Sequence, residues 1–201
     1  MLLGIAGKIG SGKTTVAEIL ENKYNFCKMS CSDVLIDLLL EKYDDYDFTP
    51  RLRWSNKNIE RDNLIKFGRK LKEMYGDGLL VELAIHKLRK KKCKNIVIDG
   101  IRTLKEVEMI QKHGGKIVFI HTDPHVRFQR ILLRNHKKDS KICTIEDLLE
   151  FDRKEEQEYD IAEIEEIADY IIDNNDSIDR LERRIRKVIY CITPSKRMRK
   201  F

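Results

Sequence analysis

The stretch Gly7-Lys-Ile-Gly-Ser-Gly-Lys-Thr14 follows a short apolar run, residues 1–6, and precedes a helical pattern that begins near Lys13. It fits G-x-x-x-x-G-K-[ST], the phosphate-binding loop, in the strand-before and helix-after context that supports this motif. Its glycines let the backbone turn tightly and bring N–H groups close to phosphate oxygens. The Lys13 amine can reach the β- and γ-phosphates, and the Thr14 hydroxyl can ligate Mg²⁺. The stretch therefore predicts a site for ATP and Mg²⁺.

Strand and helix patterns alternate along the chain. Short apolar runs that end near residues 6, 30, 99, 122 and 173 indicate five strands, and amphipathic segments lie between them. This order is typical of a parallel sheet with helices on both faces. The sequence thus predicts an α/β fold, a three-layer P-loop NTPase fold with a five-stranded parallel sheet, in one domain over residues 1–201.

Two polar stretches interrupt the alternation. Residues 43–57 are polar and aromatic, and residues 135–143 are charged and lack glycine. Long loops in compact domains are usually functional or mobile. We expect a helical insertion over about residues 34–92 to bind an acceptor, and a lid-like segment over about residues 135–153 to close over phosphates and exclude water.

Charge and composition exclude some classes of partner. The net charge is +6, and the tail 196–201 supplies four of these charges, which leaves +2 for residues 1–195. A second basic run covers residues 89–94. Such runs contact nucleic acid in some proteins but are more often solvated, so a nucleic-acid partner is possible and not favoured. No run of 18 apolar residues exists, so no membrane span is expected.

The chain has five cysteines, an odd number, and they are scattered along the sequence without a C-x-x-C pair. This usage is typical of free thiols in a cytoplasmic protein and gives no support for a zinc site. The chain also lacks a signal-peptide pattern at its start, so we expect a cytoplasmic protein.

Three polar residues follow predicted strands, where ligands bind in a parallel sheet. Asp99 can hold Mg²⁺ directly or through water, or it can simply end the strand as a turn residue. Asp33 can orient an acceptor hydroxyl or the waters on Mg²⁺, or it can cap the next helix. Arg102 can bind a phosphate with two hydrogen bonds, or it can pair with Glu106 on the surface.

Further cations lie on two predicted helices. Arg61, Arg69 and Lys72 share one side of the helix over residues 61–75, where they form either a solvated face or a site for an anionic acceptor. A second set of three arginines is spaced three and four residues apart on the predicted helix after residue 124. Arg153 follows the charged loop. Like charges in a cluster cost energy unless anions offset them, which favours a polyphosphate site. The members of this set are Arg127, Arg130 and Arg134.

Together these segments resemble the nucleoside monophosphate kinase branch of phosphate-loop proteins. Asp99-Gly-Ile-Arg-Thr103 is similar to the D-G-[FYI]-P-R-T-like stretch of adenylate kinases, whose arginine holds the acceptor phosphate, with isoleucine here where those enzymes carry proline. Arg130-Ile-Leu-Leu-Arg134 is similar to the R-x-x-x-R that opens their lid. The resemblance implies that Arg130 packs on the ATP base, that Arg134 reaches the phosphates, and that Arg153 matches a lid arginine.

A closer resemblance is to the dephospho-CoA kinase-like and deoxynucleoside monophosphate kinase-like group, and it spans roughly residues 1–188. The P-L-L-F-E-like segment of authentic dephospho-CoA kinases is absent. The segments that carry the resemblance are Ser30–Leu35, Phe67–Leu71, Tyr75–Asp77 and Ala168–Asn174.

The resemblance implies an ATP-dependent phosphotransferase, a small-molecule kinase acting on a nucleoside or deoxynucleoside monophosphate. The alternatives are a dephospho-CoA kinase-like activity on another phosphate-bearing metabolite, and an ATPase coupled to a nucleic-acid or protein partner. The residues predicted to bind ATP are Gly7, Lys8, Ile9, Gly10, Ser11, Gly12, Lys13, Thr14, Thr15 and Arg130. Those predicted to act in catalysis are Lys13, Arg102, Arg134, Arg153 and Asp33. Those predicted to hold Mg²⁺ are Thr14 and Asp99. Those predicted to bind the acceptor are Asp33, Arg61, Arg69 and Arg102.

Overall fold

The structure is a computed structural model that describes residues 1–40, 61–134 and 142–193, without the side chains of residues 61–65. The predicted loop over residues 43–57, most of the loop over residues 135–143, and the basic tail lie outside the described residues.

The strands form one parallel sheet in the order β2-β3-β1-β4-β5. Their side chains are mostly apolar because a parallel sheet is covered on both faces. This arrangement confirms the predicted fold class. The strands are β1 Leu2–Ala6, β2 Cys27–Ser30, β3 Ile96–Ile101, β4 Lys116–His121 and β5 Tyr170–Asp173.

The helices follow the predicted alternation with two differences. The short helix α8 was not predicted, and α2 begins at Cys31, directly after β2, because Ser30 and Asp33 form a capping box at its start. The helices are α1 Lys13–Tyr24, α2 Cys31–Leu39, α3 Arg61–Tyr75, α4 Leu79–Lys90, α5 Leu104–Lys112, α6 Pro124–Arg134, α7 Ile145–Glu158, α8 Ile161–Ile167 and α9 Ile178–Ile192.

Two apolar layers sandwich the sheet, and β1 contributes to both. Leu3 and Ile5 pack with α1 and α9, whereas Leu2 and Ala6 pack in the opposite layer with α4 and α5. Alternate residues of a strand point to opposite faces, which is why one strand supplies both layers. A third, smaller cluster joins α6 and α7 to the loop residue Ile9.

Cys27 and Cys93 form a disulfide, so the expectation of five free thiols is wrong for this pair. The reason lies in the strand order. Cys27 pairs with Ile96 in the register of β2 and β3, which brings the start of β2 beside the segment that precedes β3. Cys31, Cys143 and Cys191 form no disulfide. Among the described residues, no helix is long and apolar enough to cross a membrane.

Candidate active site

The phosphate loop connects β1 to α1 at the carboxyl edge of the sheet, and neighbouring elements approach it closely. Gly7 and Gly12 have φ of 141° and 93°, a region that favours glycine. A Cβ added to Gly7 would lie 2.6 Å from the main-chain oxygen of Ile120, and one on Gly12 would lie 2.4 Å from Nδ2 of Asn174. Both glycines are therefore required by contacts with β4 and β5 as well as by the turn.

Three side chains donate hydrogen bonds to main-chain oxygens of the phosphate loop. Asn174 donates from Nδ2 to the oxygen of Ser11 at 2.7 Å, and Thr122 donates to the same oxygen at 3.1 Å. Arg127 donates from Nη1 to the oxygen of Ile9 at 3.1 Å. All three side chains belong to buried residues, and a hydrogen bond made in a buried setting is costly to lose. The shape of the loop thus depends on residues more than 100 positions away.

Arg127 has a structural role and does not occupy the predicted place beside the phosphates. Its guanidinium is buried and forms a paired contact with Asp152, with Nη1–Oδ1 at 3.0 Å and Nη2–Oδ2 at 2.5 Å. Its Nε donates to the main-chain oxygen of Thr122 at 3.2 Å. This pair connects α6, α7 and the phosphate loop. No local pattern indicates that one arginine of the set is buried, because its partner Asp152 lies on another helix.

Thr14 and Asp99, both predicted to hold Mg²⁺, are in contact. The Thr14 hydroxyl donates to Oδ2 of Asp99 at 2.9 Å, while Oδ1 of Asp99 is buried without a hydrogen-bond partner among the described residues. Burial raises the pKa of the Asp99 carboxyl, and the Thr14 hydrogen bond and the Lys13 charge oppose this shift. A buried carboxylate oxygen without a partner beside an exposed hydroxyl suits Mg²⁺ and its waters. These residues fit the metal.

Lys13 lies against its own loop. Its Nζ donates to the main-chain oxygens of Gly7 at 2.5 Å and Lys8 at 2.7 Å. Burial, followed by the charge of Arg102, lowers its pKa to about 8. A polyphosphate beside this amine would supply the negative charge that favours its protonated form. The position and the shifted pKa agree with a phosphate-binding lysine.

Arg130 lies near the start of α1. Its Nη1 is buried without a hydrogen-bond partner among the described residues, and it is 4.0 Å from the position that a Cβ on Gly12 would take. Burial lowers the pKa of this guanidinium. The contact with the base implied by the resemblance stays a prediction, but the side chain is near the phosphate loop.

The two other arginines predicted to close over the phosphates lie further out. Arg134 is exposed at the last residue of α6. Arg153 has a side chain that is 69% exposed and pairs with Glu150 at 3.7 Å. The described contacts do not bring Arg153 to the loop, so its role and that of Arg134 stay predictions.

Arg102 follows Asp99 at the end of β3 and contacts α7. Its Nη1 lies 3.3 Å from Oε1 of Glu155, and its guanidinium lies 5.2 Å from the centroid of the Tyr159 ring. Glu106, which forms the capping box of α5 with Thr103, also accepts a hydrogen bond from the main-chain N–H of Arg102 at 2.7 Å. The Arg102 side chain therefore pairs with Glu155, and not with Glu106 as one of the two interpretations of the sequence had it.

The remaining predicted acceptor residues are dispersed. The Asp33 carboxylate accepts from the main-chain N–H of Ser30 at 2.7 Å, which is its predicted capping role, and its charge adds to the raised pKa of Asp99. Arg69 is 65% exposed and lies 3.9 Å from Glu158. Arg61 begins α3, and its side chain is not among those described. Arg102 lies three residues after Asp99, and Asp33 lies three residues after Ser30, which pairs with Asp99 in the register of β2 and β3, so these two predicted acceptor residues follow neighbouring strands at one edge of the sheet.

The fold and the site define a phosphate-loop protein. Residues 3–159 match the sequence model of a family described as AAA domain, and the chain belongs to that family. It is also 33% identical over 187 residues to a UPF0200 protein of Saccharolobus islandicus, across 92% of this chain and 89% of that one. The chain is thus a member of the UPF0200 group.

Solved structures agree with this fold. The shikimate kinase of Bacteroides thetaiotaomicron superposes with a TM-score of 0.56 and 17% identity, over 95% of this chain and 97% of that one. The dephospho-CoA kinase of Campylobacter jejuni superposes with a TM-score of 0.53 and 22% identity, over 94% and 95%. These similarities confirm the kinase-like P-loop fold that the sequence resemblance implied.

Proposed function

We propose that this protein is a Mg²⁺- and ATP-dependent phosphotransferase that acts on a nucleoside or deoxynucleoside monophosphate. The observation that carries the proposal is the 2.9 Å bond between Thr14 and Asp99 beside a complete phosphate loop, with Oδ1 of Asp99 left for a ligand. Arg102 lies three residues after Asp99, at the same edge of the sheet. Two residues that can hold Mg²⁺ next to an arginine suit a donor phosphate on one side and an acceptor phosphate on the other.

On the donor side, the loop N–H groups and the start of α1 bind the phosphates of ATP. Lys13 remains protonated once it faces these phosphates, and it stabilises the charge that develops between them. Mg²⁺ held by Thr14 and Asp99 would neutralise part of the same charge. Arg130 binds near the base, and Arg134 and Arg153 contact the transferring phosphoryl group when the segment over residues 135–153 closes.

On the acceptor side, Arg102 and Arg69 hold the monophosphate, with α2, α3 and α4 as the walls of its site. An oxygen of the acceptor phosphate attacks the γ-phosphorus, a new P–O bond forms, and the bond to the leaving ADP oxygen breaks. The ionised phosphate is already a nucleophile, so no strong general base is needed. Catalysis rests on positioning and on neutralisation of charge.

An acceptor screen tests the proposal. ATP consumption is measured with each ribo- and deoxynucleoside monophosphate and with dephospho-CoA, for the wild type and for Lys13→Ala. Lys23→Ala, at the exposed end of α1, is the matched control. We expect one acceptor class to stimulate turnover strongly, with the stimulation lost in Lys13→Ala and kept in Lys23→Ala. ATP hydrolysis that is indifferent to every acceptor would overturn the proposal.

A further inference from the structure

Glu155 is a buried carboxylate that has no role in the proposed reaction. It is only 8% exposed, and it lies on the same side of α7 as Asp152 and Tyr159, three residues before it and four after. Its Oε1 lies 3.3 Å from Nη1 of Arg102, which is the cation in contact with it among the described residues. A carboxylate loses hydration when it is buried, so a contact with a cation is needed to offset that cost.

Tyr159 contacts the same arginine from another direction. Its ring centroid lies 5.2 Å from the Arg102 guanidinium and 5.6 Å from Nζ of Lys72, distances at which a cation is attracted to an aromatic ring. The backbone also joins these groups, because Asp160 donates its N–H to the main-chain oxygen of Arg102 at 3.1 Å. The end of α7 is thus connected to both the main chain and the side chain of Arg102.

These contacts restrict the orientation of a planar group. A guanidinium carries five N–H donors in a rigid fork, so a carboxylate at Nη1 and the Tyr159 ring near Cζ leave further donors that can bind an oxyanion. An arginine held in this way loses less conformational freedom when a ligand binds. Glu155 also opposes the effect of Arg102 on the pKa of Lys13.

We propose that Glu155 and Tyr159 are positioning residues that orient the Arg102 guanidinium toward the phosphate of the acceptor. This inference rests on the proposed function and extends it. The geometry selects a phosphate monoester over a neutral alcohol, because a fixed guanidinium fork matches two oxygens of one phosphate. Glu155 and Tyr159 act through Arg102 and need not contact the acceptor.

A binding experiment tests this inference without an identified acceptor. Inorganic phosphate is the probe, and Mg²⁺–ADP is present to fill the donor side. The Nε–H resonance of Arg102 is followed by NMR of protein labelled at arginine, and it is assigned by its loss in Arg102→Lys. We expect phosphate to shift this resonance in the wild type and to bind about tenfold more weakly in Glu155→Gln and Tyr159→Leu.

Glu163→Gln provides the matched control, since it removes one exposed carboxylate of the neighbouring helix α8. It should bind phosphate as the wild type does. The inference is wrong if Glu155→Gln binds phosphate as tightly as the wild type, or if phosphate leaves the Arg102 resonance unchanged.

Kinetics with the acceptor found in the screen give a second test. Glu155→Gln should raise the acceptor KM about tenfold and change kcat and the ATP KM less than about threefold. In an Arg102→Lys background the same substitution should have no further effect, as expected for a residue that acts through Arg102. If no acceptor is found, the proposed function fails in the screen, while the phosphate titration still decides the role of Glu155.

Discussion

The proposed donor and acceptor sides of the site are built from different kinds of contact. On the donor side, buried residues such as Asn174 and Arg127 bind main-chain oxygens of the phosphate loop. On the acceptor side, Arg102 and Lys72 are 47% and 26% exposed at their side chains and are paired with carboxylates of other elements. Main-chain bonds in a buried setting permit one arrangement of the loop, whereas the ion pairs of the acceptor side are partly exposed and leave guanidinium donors open to a substrate phosphate. The donor side is therefore held by buried main-chain bonds, and the acceptor side by ion pairs that face solvent.

The largest effect should follow from loss of the buried pair on the donor side. Arg127→Met leaves the Asp152 carboxylate buried without its partner, which should lower the free energy of unfolding by about 3–5 kcal/mol. Arg102→Met, on the acceptor side, should cost less, about 1–2 kcal/mol, because the Arg102 side chain is partly exposed, although the buried Glu155 carboxylate also loses its cation. Urea denaturation measures both values. The double variant Arg127→Met with Asp152→Leu should recover most of the loss, and equal costs at Arg127 and Arg102 would contradict the comparison.

The next effect concerns activity alone. Asp99→Asn should reduce kcat/KM about a hundredfold, close to 2.7 kcal/mol of transition-state stabilisation, because an amide is a poor ligand for Mg²⁺. Its stability should not fall. Burial raises the pKa of Asp99 above its unfolded value, so the ionised form is disfavoured by folding at neutral pH, and the amide removes that cost. Thr14→Ser keeps the hydroxyl and should retain most activity; a matching loss there would argue against a metal role for the pair.

A smaller effect is expected where a side chain only supports the loop. Asn174→Ala removes the 2.7 Å bond to the Ser11 oxygen and should cost about 1–2 kcal/mol of stability. It should raise the ATP KM and leave the acceptor KM unchanged, since its contacts are on the donor side. Asn175→Ala, at the neighbouring exposed residue, is the control. An equal rise in both KM values would show that the two sides are not independent.

The smallest expected effect is the uptake of a proton when ATP binds. The pKa of Lys13 is about 8 in the free protein, and phosphates raise it, so ATP binding at pH 8 should take up about half a proton. Uptake should vanish below about pH 7, where Lys13 is already charged. Calorimetry in buffers of different ionisation enthalpy measures it, with Lys13→Met as the control. Binding to Arg102 should take up no proton, because a guanidinium stays charged throughout this range.

Much of the donor side could be predicted from sequence because its determinants are local. The phosphate loop is one continuous stretch, and Asp99 is recognisable as a carboxylate at the end of an apolar strand. The capping boxes of α2 and α5 also span only a few residues. The missed features all join distant parts of the chain: the Cys27–Cys93 disulfide and the Arg127–Asp152 pair are examples.

The sequence by itself determined the alternation of strands and helices, the phosphate loop and the residues that can hold Mg²⁺, since each depends on spacing within one segment. Only the tertiary structure decided which residues support the loop and which contact Arg102. Asn174 is 163 positions from Ser11 in the sequence. The two residues meet because β5, which precedes Asn174, is only two positions from β1 in the sheet. Glu155 meets Arg102 because the end of α7 lies beside the residues that follow β3, where Asp160 donates to the main-chain oxygen of Arg102. Such contacts depend on strand order and helix packing, which no local pattern records.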